Sequence, residues 1–247
     1  MRWALALAAL LVVTGCGGDG GDDEPTLKVS AAASLKEAFT AYGRDLNGAR
    51  AAFSFAGSDE LAAQIRQGVK PDVFASANTK LPDQLHREDL VERPVDFTAN
   101  RLVLAVPRGS EVRSLAGAGG SGVKVAIGAE GVPVGDYTRQ VLGRLGPAGR
   151  RILRNVRSNE PDVKSIVAKL TQGGAGAGFV YVTDVRAARG ALRAIALPST
   201  AQPRVVYAAA VVEGAAHPEE ARSFVEGLLR RSGRRALAAA GFEPPPR

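Results

Sequence analysis

The sequence is poor in the residues that build disulfide frameworks, metal centres and catalytic triads. It contains one cysteine and two histidines, and only 5% of its residues are aromatic. A single cysteine cannot form an intrachain disulfide, so stability must come from an ordinary packed core. His86 lies in a charged helical run and His217 precedes a proline at a helix start. Far apart in sequence, they favour neither a zinc site nor a general base.

The N-terminal apolar stretch is too short for a permanent transmembrane helix. It covers residues 4–13, whereas a bilayer-spanning helix needs roughly 20 apolar residues. Because it follows Arg2 and ends in Val13-Thr14-Gly15-Cys16, it predicts an export signal over residues 1–16. The ending resembles the lipobox of bacterial lipoproteins, which implies a lipid on Cys16. The alternative is an ordinary cleaved signal with an incidental cysteine.

A linker and a basic surface follow this signal. Residues 17–26 are rich in glycine and acidic side chains with little to bury, which predicts a flexible tether. The chain has a formal charge of +7, but its arginines are spread along helical stretches such as 150–157 and 230–235. This pattern is typical of solvated helix faces, and the predicted export argues against a nucleic-acid partner.

Short β-type runs alternate with amphipathic helical runs along the rest of the chain. This alternation predicts an α/β fold in which helices flank mixed, mostly parallel sheets. A glycine-rich segment over residues 109–122 interrupts the pattern, which then restarts. We therefore predict two lobes, the first from residues 27–106 and 205–247 and the second from 107–204. The crossings are expected near Val106-Pro107 and Arg204-Val205.

Two well-known motifs are absent or misplaced. Residues 117–122 match the dinucleotide-binding string of glycines, but they precede a strand instead of following one, so the phosphate-binding geometry is missing. The sequence also lacks the Gly-x-Ser-x-Gly pattern that exposes a nucleophilic serine. Neither a nucleotide-binding domain nor an α/β-hydrolase is indicated.

Four loop-to-helix junctions carry the remaining functional signal. Ser34 follows small residues at the end of a strand, and Glu37 completes a capping-box pattern with it. The other three junctions lie at residues 55–61, 132–137 and 159–163. Free N–H groups make each helix start a possible anion cradle, although a serine there is usually only a cap. A binding site requires the junctions to converge beyond the carboxyl ends of the strands.

These junctions resemble those of the molybdate-binding components of bacterial ABC transporters, which are type II periplasmic substrate-binding proteins. The similarity covers essentially the whole chain after the tether. It implies a two-lobed type II fold, no enzymatic activity, no cofactor, a monomer that works outside the cytoplasm, and an ABC permease as partner. The anchor to the cell envelope is implied separately by the lipobox-like ending at Cys16. The five motifs that carry it are Ala31-Ala32-Ala33-Ser34-Leu35, residues 54–65, Pro71-Asp72-Val73-Phe74-Ala75-Ser76-Ala77, Val132-Pro133-Val134-Gly135-Asp136-Tyr137 and Gly178-Phe179-Val180-Tyr181.

The resemblance also implies which groups hold the oxyanion. Ser34 and Ser58 would supply hydroxyls and amides, Val134 and Val163 backbone amides, and Tyr181 its phenol. All would bind the oxyanion by hydrogen bonds, without direct coordination of the metal.

The sequence departs from the family pattern at two of these motifs. Gly57 stands where relatives often carry serine, and Val134 stands where alanine is common. Neither change removes an amide donor. The larger Val134 side chain is expected either to alter the cavity or to point away from it. The acidic residues Asp59, Asp136 and Asp162 should cap their helices from the outer side, since a carboxylate facing a dianion is repulsive.

Molybdate suits such a site because it is fully deprotonated at neutral pH and only accepts hydrogen bonds, so a donor-only pocket rejects protonated phosphate. Tungstate has the same charge and nearly the same size, and no residue separates the two. Sulfate is the alternative within the same class. Two rivals from other classes remain: a secreted hydrolase with Ser34 or Ser58 as nucleophile, and an adhesion or scaffold domain without a small ligand.

Overall fold

A computed structural model describes residues 24–246. The predicted signal over residues 1–16, Cys16 and the tether up to residue 23 lie outside the described residues. The strands are β1 Thr26–Ala32, β2 Arg50–Ala56, β3 Val73–Ser76, β4 Val95–Asn100, β5 Leu102–Pro107, β6 Val125–Gly128, β7 Val156–Glu160, β8 Ala177–Tyr181, β9 Leu192–Ala196 and β10 Val205–Val211.

Helices separate most of these strands, and a 3-10 turn over Ala33–Leu35 precedes the first of them. None of the helices in residues 24–246 has both the length and the apolar character of a membrane span. The α-helices are α1 Lys36–Arg44, α2 Ser58–Arg66, α3 Lys80–Arg87, α4 Leu115–Ala118, α5 Pro133–Arg144, α6 Pro147–Arg154, α7 Val163–Thr171, α8 Val182–Ala187, α9 Pro218–Leu228 and α10 Arg231–Ala240.

The strands form two five-stranded mixed sheets, one in each lobe. The first sheet has the order β2-β1-β3-β10-β4 and the second the order β7-β6-β8-β5-β9. In the first, β1 runs parallel to β2 and β3, while β10 is antiparallel to β3 and β4. In the second, β6 is parallel to β7 and β8, and β5 is antiparallel to β8 and β9. This is the predicted two-lobed α/β architecture.

The chain passes twice between the sheets. It leaves the first sheet at Arg101, since β4 ends at Asn100 and β5 already pairs in the second sheet. The first passage therefore comes earlier than the predicted crossing near Val106-Pro107. Pro107 is instead the last residue of β5, because proline has no N–H to donate to a neighbouring strand. The return passage occupies residues 197–204, directly before β10.

Both sheets are buried, as expected for sheets with helices on their faces. Every residue of β3, β6, β8 and β10 is buried. In the first lobe, the aromatic side chains of Phe39, Phe97 and Phe224 pack in tilted and edge-on contacts, with centroid separations of 5.6–5.9 Å. These rigid cores hold the strand ends, and hence the loops that follow them, in fixed positions.

Candidate anion-binding site

All five predicted site residues line one cavity between the two lobes. The cavity has a volume of about 20 Å³, on a scale where one water molecule needs about 10–15 Å³, so only a compact guest fits. Its walls come from the segments after β1, β2, β3, β6 and β7 and from the end of β8. The lining residues are Ala32, Ala33, Ser34, Ala56, Gly57, Ser58, Ala77, Val132, Pro133, Val134, Asp162, Val163 and Tyr181.

Ser34 lies inside the 3-10 turn after β1 and is 3% exposed. Its hydroxyl is 2.9 Å from the phenol oxygen of Tyr207. The predicted capping box is wrong, because α1 begins only at Lys36 and has no side-chain cap, and Glu37 pairs instead with Lys164. The serine hydroxyl is therefore held at the cavity and is not used as a helix cap.

Ser58 is the first residue of α2 and is 2% exposed. Its oxygen accepts a hydrogen bond of 3.1 Å from the N–H of Ala77, which follows β3. Since this bond occupies a lone pair and not the proton, the Ser58 hydroxyl remains a donor toward the cavity. A Cβ on the preceding Gly57 would overlap the carbonyl oxygen of Pro161 from the second lobe. Glycine there permits the close approach of the two lobes.

The start of α5 contributes backbone donors from the second lobe. Pro133 occupies the first helical turn and has no N–H, and no side chain caps the helix, so Val134 is the first residue able to donate. Gly135 lets this turn lie against β6, because a Cβ there would overlap the carbonyl oxygen of Ala129. The Val134 methyl group packs over Gly128 at the end of β6, while its residue still lines the cavity.

Asp162 and Val163 form the start of α7. The Asp162 carboxylate accepts hydrogen bonds of 2.6 and 3.0 Å from the N–H groups of Lys164 and Ser165. Asp162 thus caps its helix as predicted, but it is also one of the residues that line the cavity, in contrast to the predicted placement on the outer side. Because the cap takes these two amides, the N–H of Val163 is the donor of the first turn that is left for the cavity.

Tyr181 ends β8 and is 1% exposed. Its phenol oxygen is buried and makes no hydrogen bond within 3.5 Å to any residue of the described chain, although the Tyr207 hydroxyl lies near enough to affect its pKa. Burial raises the pKa of Tyr181 well above its ordinary value of 10.0, so the hydroxyl keeps its proton at any physiological pH. A buried phenol without a partner is costly, which indicates that a ligand completes its hydrogen bonding.

Asp136 and Asp59 were also predicted to cap their helices, and their hydrogen bonds differ from this prediction. Asp136 accepts a hydrogen bond of 2.9 Å from the N–H of Gly131, in the loop before its helix. Asp59 keeps one buried carboxylate oxygen without a partner among the described residues. Burial raises the pKa of Asp59, and repulsion from Asp136 and Asp162 adds to the rise. Neither Asp59 nor Asp136 lines the cavity.

Among the residues that the structure describes, no lysine, arginine or histidine lines the cavity. His86 instead bonds through its ring nitrogen to the carbonyl of Val91, and His217 lies at the start of α9. The serines therefore lack the neighbouring base that nucleophilic catalysis requires. Within residues 24–246, no cluster of three or more His, Cys, Asp or Glu side chains could hold a metal ion.

Sequence reasoning missed the polar residues behind Ser34. Tyr207 is fully buried in the middle of β10, and Asn100 ends β4. The Asn100 amide nitrogen donates to Thr183 at 2.9 Å and lies 3.5 Å from the Tyr207 phenol oxygen. The one available signal was a phenol inside an otherwise apolar strand, because a buried tyrosine hydroxyl normally finds a partner.

Comparisons with known proteins agree with this architecture. Residues 27–243 match the family model described as bacterial extracellular solute-binding protein. The molybdate-binding protein ModA of Mycobacterium tuberculosis is 34% identical, over 99% of this chain and 100% of its own length.

Two solved structures share the fold. The substrate-binding domain of a candidate molybdenum ABC transporter from Clostridium difficile is 28% identical with a TM-score of 0.67, covering 89% of this chain and 98% of its own. The periplasmic molybdate-binding protein of Azotobacter vinelandii is 22% identical with a TM-score of 0.78, covering 89% and 100%. The match over nearly the whole chain, together with a cleft that joins two α/β lobes, shows that this chain belongs to the bacterial extracellular solute-binding proteins, which are binding proteins and not enzymes.

Proposed function

We propose that this protein works outside the cytoplasm, where it binds molybdate, or the equivalent tungstate ion, in the cavity between its lobes. It then delivers the ion to the membrane permease of an ABC importer. The observation that carries the proposal is the polarity of the cavity lining. The lining includes the hydroxyl-bearing residues Ser34, Ser58 and Tyr181 and first-turn residues of two helices, and no basic residue of the described chain contributes to it. Such a lining matches a guest that only accepts hydrogen bonds.

The strength of these donors is sufficient without a salt bridge. Hydrogen bonds to a charged group contribute about 1.5–3 kcal/mol each, and helix N-termini favour an anion through their dipoles. Five to eight such bonds, after the costs of association, are consistent with a free energy of about 8–12 kcal/mol. This corresponds to micromolar to nanomolar dissociation constants.

The small cavity favours an inorganic ion over an organic ligand. A volume of about 20 Å³ leaves no room for a sugar or a peptide, since a drug-sized ligand occupies pockets of about 300–1,000 Å³. The relative at 34% identity is named as a molybdate-binding protein. Together these features favour a tetrahedral oxyanion, with molybdate first.

We propose that the two lobes close on the ion by hinging at Arg101 and at residues 197–204, where the chain passes between the sheets. Within residues 24–246, these two short passages are the only covalent links between the sheets, so backbone rotations there can open the cleft without disturbing either core. Closure expels water and strengthens each hydrogen bond to the ion.

We also propose that Cys16 carries a lipid that anchors the protein to the membrane, with the residues between Cys16 and the start of β1 as tether. The support is the sequence alone, in the apolar stretch that ends in Val13-Thr14-Gly15-Cys16. Expression with Cys16→Ser should release the protein from the membrane fraction, whereas the wild-type chain should remain there and gain the mass of a lipid. A wild-type chain recovered only in the soluble fraction contradicts the anchor.

The proposed ligand is tested by calorimetric titration of the purified protein with molybdate, tungstate, sulfate and phosphate in parallel. We expect tight binding of the first two, weaker binding of sulfate and much weaker but measurable binding of phosphate. Sulfate binding as tight as molybdate would reassign the ligand within the class. Absence of heat or thermal shift with all four ions would favour a domain without a small ligand.

A further inference from the structure

A chain of hydrogen bonds leads from the first hinge passage to the cavity. It begins at the N–H of Arg101, which lies 2.9 Å from the side-chain oxygen of Asn100. It continues through the Asn100 amide nitrogen to the Tyr207 phenol and ends at Ser34. Asn100, Tyr207 and Ser34 are each 5% exposed or less, so water does not compete for these groups.

The first hydrogen bond of this series, from Arg101 to Asn100, fixes which atom of Asn100 faces which partner. A backbone N–H can only donate, so the Asn100 atom that faces Arg101 must be the carbonyl oxygen. The amide nitrogen of Asn100 therefore points the other way, toward Thr183 at 2.9 Å and Tyr207 at 3.5 Å. The second contact is longer than a usual hydrogen bond, yet it still turns amide hydrogens toward the phenol oxygen.

The same polarity then passes to Ser34. With the amide hydrogens of Asn100 on one side, the arrangement that uses the shortest contact of the Tyr207 hydroxyl places its proton toward the Ser34 oxygen, 2.9 Å away. Ser34 thus accepts from Tyr207, and its own proton is left to point into the cavity that it lines. Without Tyr207 the hydroxyl would be free to rotate and either donate or accept.

We propose that Tyr207 and Asn100 are positioning residues that fix the Ser34 hydroxyl as a hydrogen-bond donor and thereby determine selectivity for fully deprotonated oxyanions. The inference rests on the proposed anion-binding function and deepens it. A protonated oxyanion such as hydrogen phosphate needs one acceptor in the site. The hydrogen-bond relay from Asn100 through Tyr207 to Ser34 prevents the Ser34 oxygen from serving as that acceptor. In a similar way, the N–H of Ala77 occupies the Ser58 oxygen and leaves the Ser58 hydroxyl able to donate.

The variant Tyr207→Phe tests the relay, because it removes the hydroxyl and keeps the ring that packs edge-on against Tyr181 and Phe242. Titrations with molybdate and with phosphate are compared with the wild type. We expect molybdate affinity to fall about tenfold, the equivalent of one modest hydrogen bond, and the ratio of molybdate to phosphate affinity to fall as well. A structural role alone would weaken both ions alike.

The matched control is Tyr42→Phe. Tyr42 is also buried in the first lobe and donates one hydrogen bond, to the carbonyl of Phe224 at 3.1 Å, away from the cavity. It should lose stability and keep the wild-type affinities. In a double-mutant cycle, Tyr207→Phe should have much less effect on binding when Ser34→Ala is already present. Equal effects in both backgrounds overturn the relay.

A second variant covers the case in which Tyr207→Phe does not fold. Asn100→Asp keeps the acceptor for Arg101 but turns an oxygen toward Tyr207, so the phenol proton is drawn away from Ser34. The introduced charge weakens anion binding in any background, whereas the relay adds a loss only when Ser34 is present. Identical losses with and without Ser34→Ala overturn the relay.

Failure of the relay and failure of the proposed function give different results. If Tyr207→Phe binds molybdate as tightly as the wild type does, the relay alone is overturned. If the wild type binds no oxyanion, the proposed function itself is overturned.

Discussion

Lys164 of the second lobe places its ammonium nitrogen 2.9 Å from a carboxylate oxygen of Glu37 in the first lobe. The same ammonium lies 3.3 Å from the buried carboxylate of Asp184. Burial opposes the charge on Lys164, but the two carboxylates outweigh it and raise the pKa of Lys164. Because Lys164 lies in the first turn of α7, beside the cavity, this ion pair holds the lobes together next to the site.

Replacing Glu37 with glutamine should make closure less favourable and weaken anion binding. Both partners are partly exposed, at 27% and 47%, so the pair contributes about 0.2–1 kcal/mol, or up to about fivefold in affinity. Titration with molybdate at low and high salt measures the effect, which salt should diminish.

The control for this prediction is Glu92→Gln, which removes an ion pair with Arg222 within the first lobe. It should leave affinity unchanged. An equal loss of affinity in both variants would show that the loss comes from general destabilisation and not from the link between lobes.

Asp184 should make the protein more stable at acidic pH than at neutral pH. Burial raises its pKa from 3.8 to about 6, with Lys164 opposing the rise. The folded state therefore binds this proton more tightly, and the stabilisation present below about pH 4 is lost as the pH rises through about 6.

Denaturant unfolding between pH 4 and 7 measures the contribution, which is at most about 3 kcal/mol for a shift of this size. The variant Asp184→Asn still offers an oxygen to the N–H of Tyr181, which Asp184 binds at 3.1 Å, but does not titrate. It should show a shallower loss of stability over this range. The same slope in both proteins contradicts the assignment.

A side chain at position 57 should hinder closure of the lobes. A Cβ there would overlap the Pro161 carbonyl oxygen, so Gly57→Ala forces the lobes apart by a fraction of an ångström and lengthens every bond to the ion. We expect molybdate affinity to fall about tenfold or more, since several hydrogen bonds of about 1.5–3 kcal/mol weaken together. Gly109→Ala, at an exposed position with open space around it, should have no effect.

Tyr181→Phe should separate stability from binding. Its buried phenol has no partner in the described chain, so its removal should leave the ligand-free protein as stable or raise its melting temperature. Molybdate affinity should fall by roughly 1–3 kcal/mol, the contribution of one hydrogen bond to a charged guest. Thermal unfolding with and without molybdate reports both quantities. A lower melting temperature of the ligand-free variant would indicate that the phenol has a protein partner instead.

Much of the architecture could be predicted from sequence because the central strands are strongly apolar. Every residue of the strands β3, β6, β8 and β10 is buried, and such continuous apolar runs are recognisable in a sequence. The strands β4, β7 and β9 form no such run. They carry charged or polar residues, and β7 alternates between exposed and half-buried positions until its last residue, so their pairing depends on the sheet and not on local pattern.

In the candidate site, too, some features could be predicted from the sequence and others could not. The resemblance predicted five residues that the fold brings to one cavity, since helix starts after parallel strands share an edge of the sheet. The capping box at Ser34 and Glu37 was wrong because the partners of both side chains, Tyr207 and Lys164, are distant in sequence. Long-range hydrogen bonds leave no spacing pattern, so local reasoning assigned these side chains to each other.

The most direct test of the account is a crystal structure of the protein grown with molybdate, with the anomalous scattering of molybdenum used to locate the ion. The account predicts one strong peak in the cavity between the lobes, with ion oxygens at about 2.5–3.0 Å from the hydroxyls of Ser34, Ser58 and Tyr181. A peak elsewhere on the molecule, or a cavity without an ion at saturating molybdate, would contradict it.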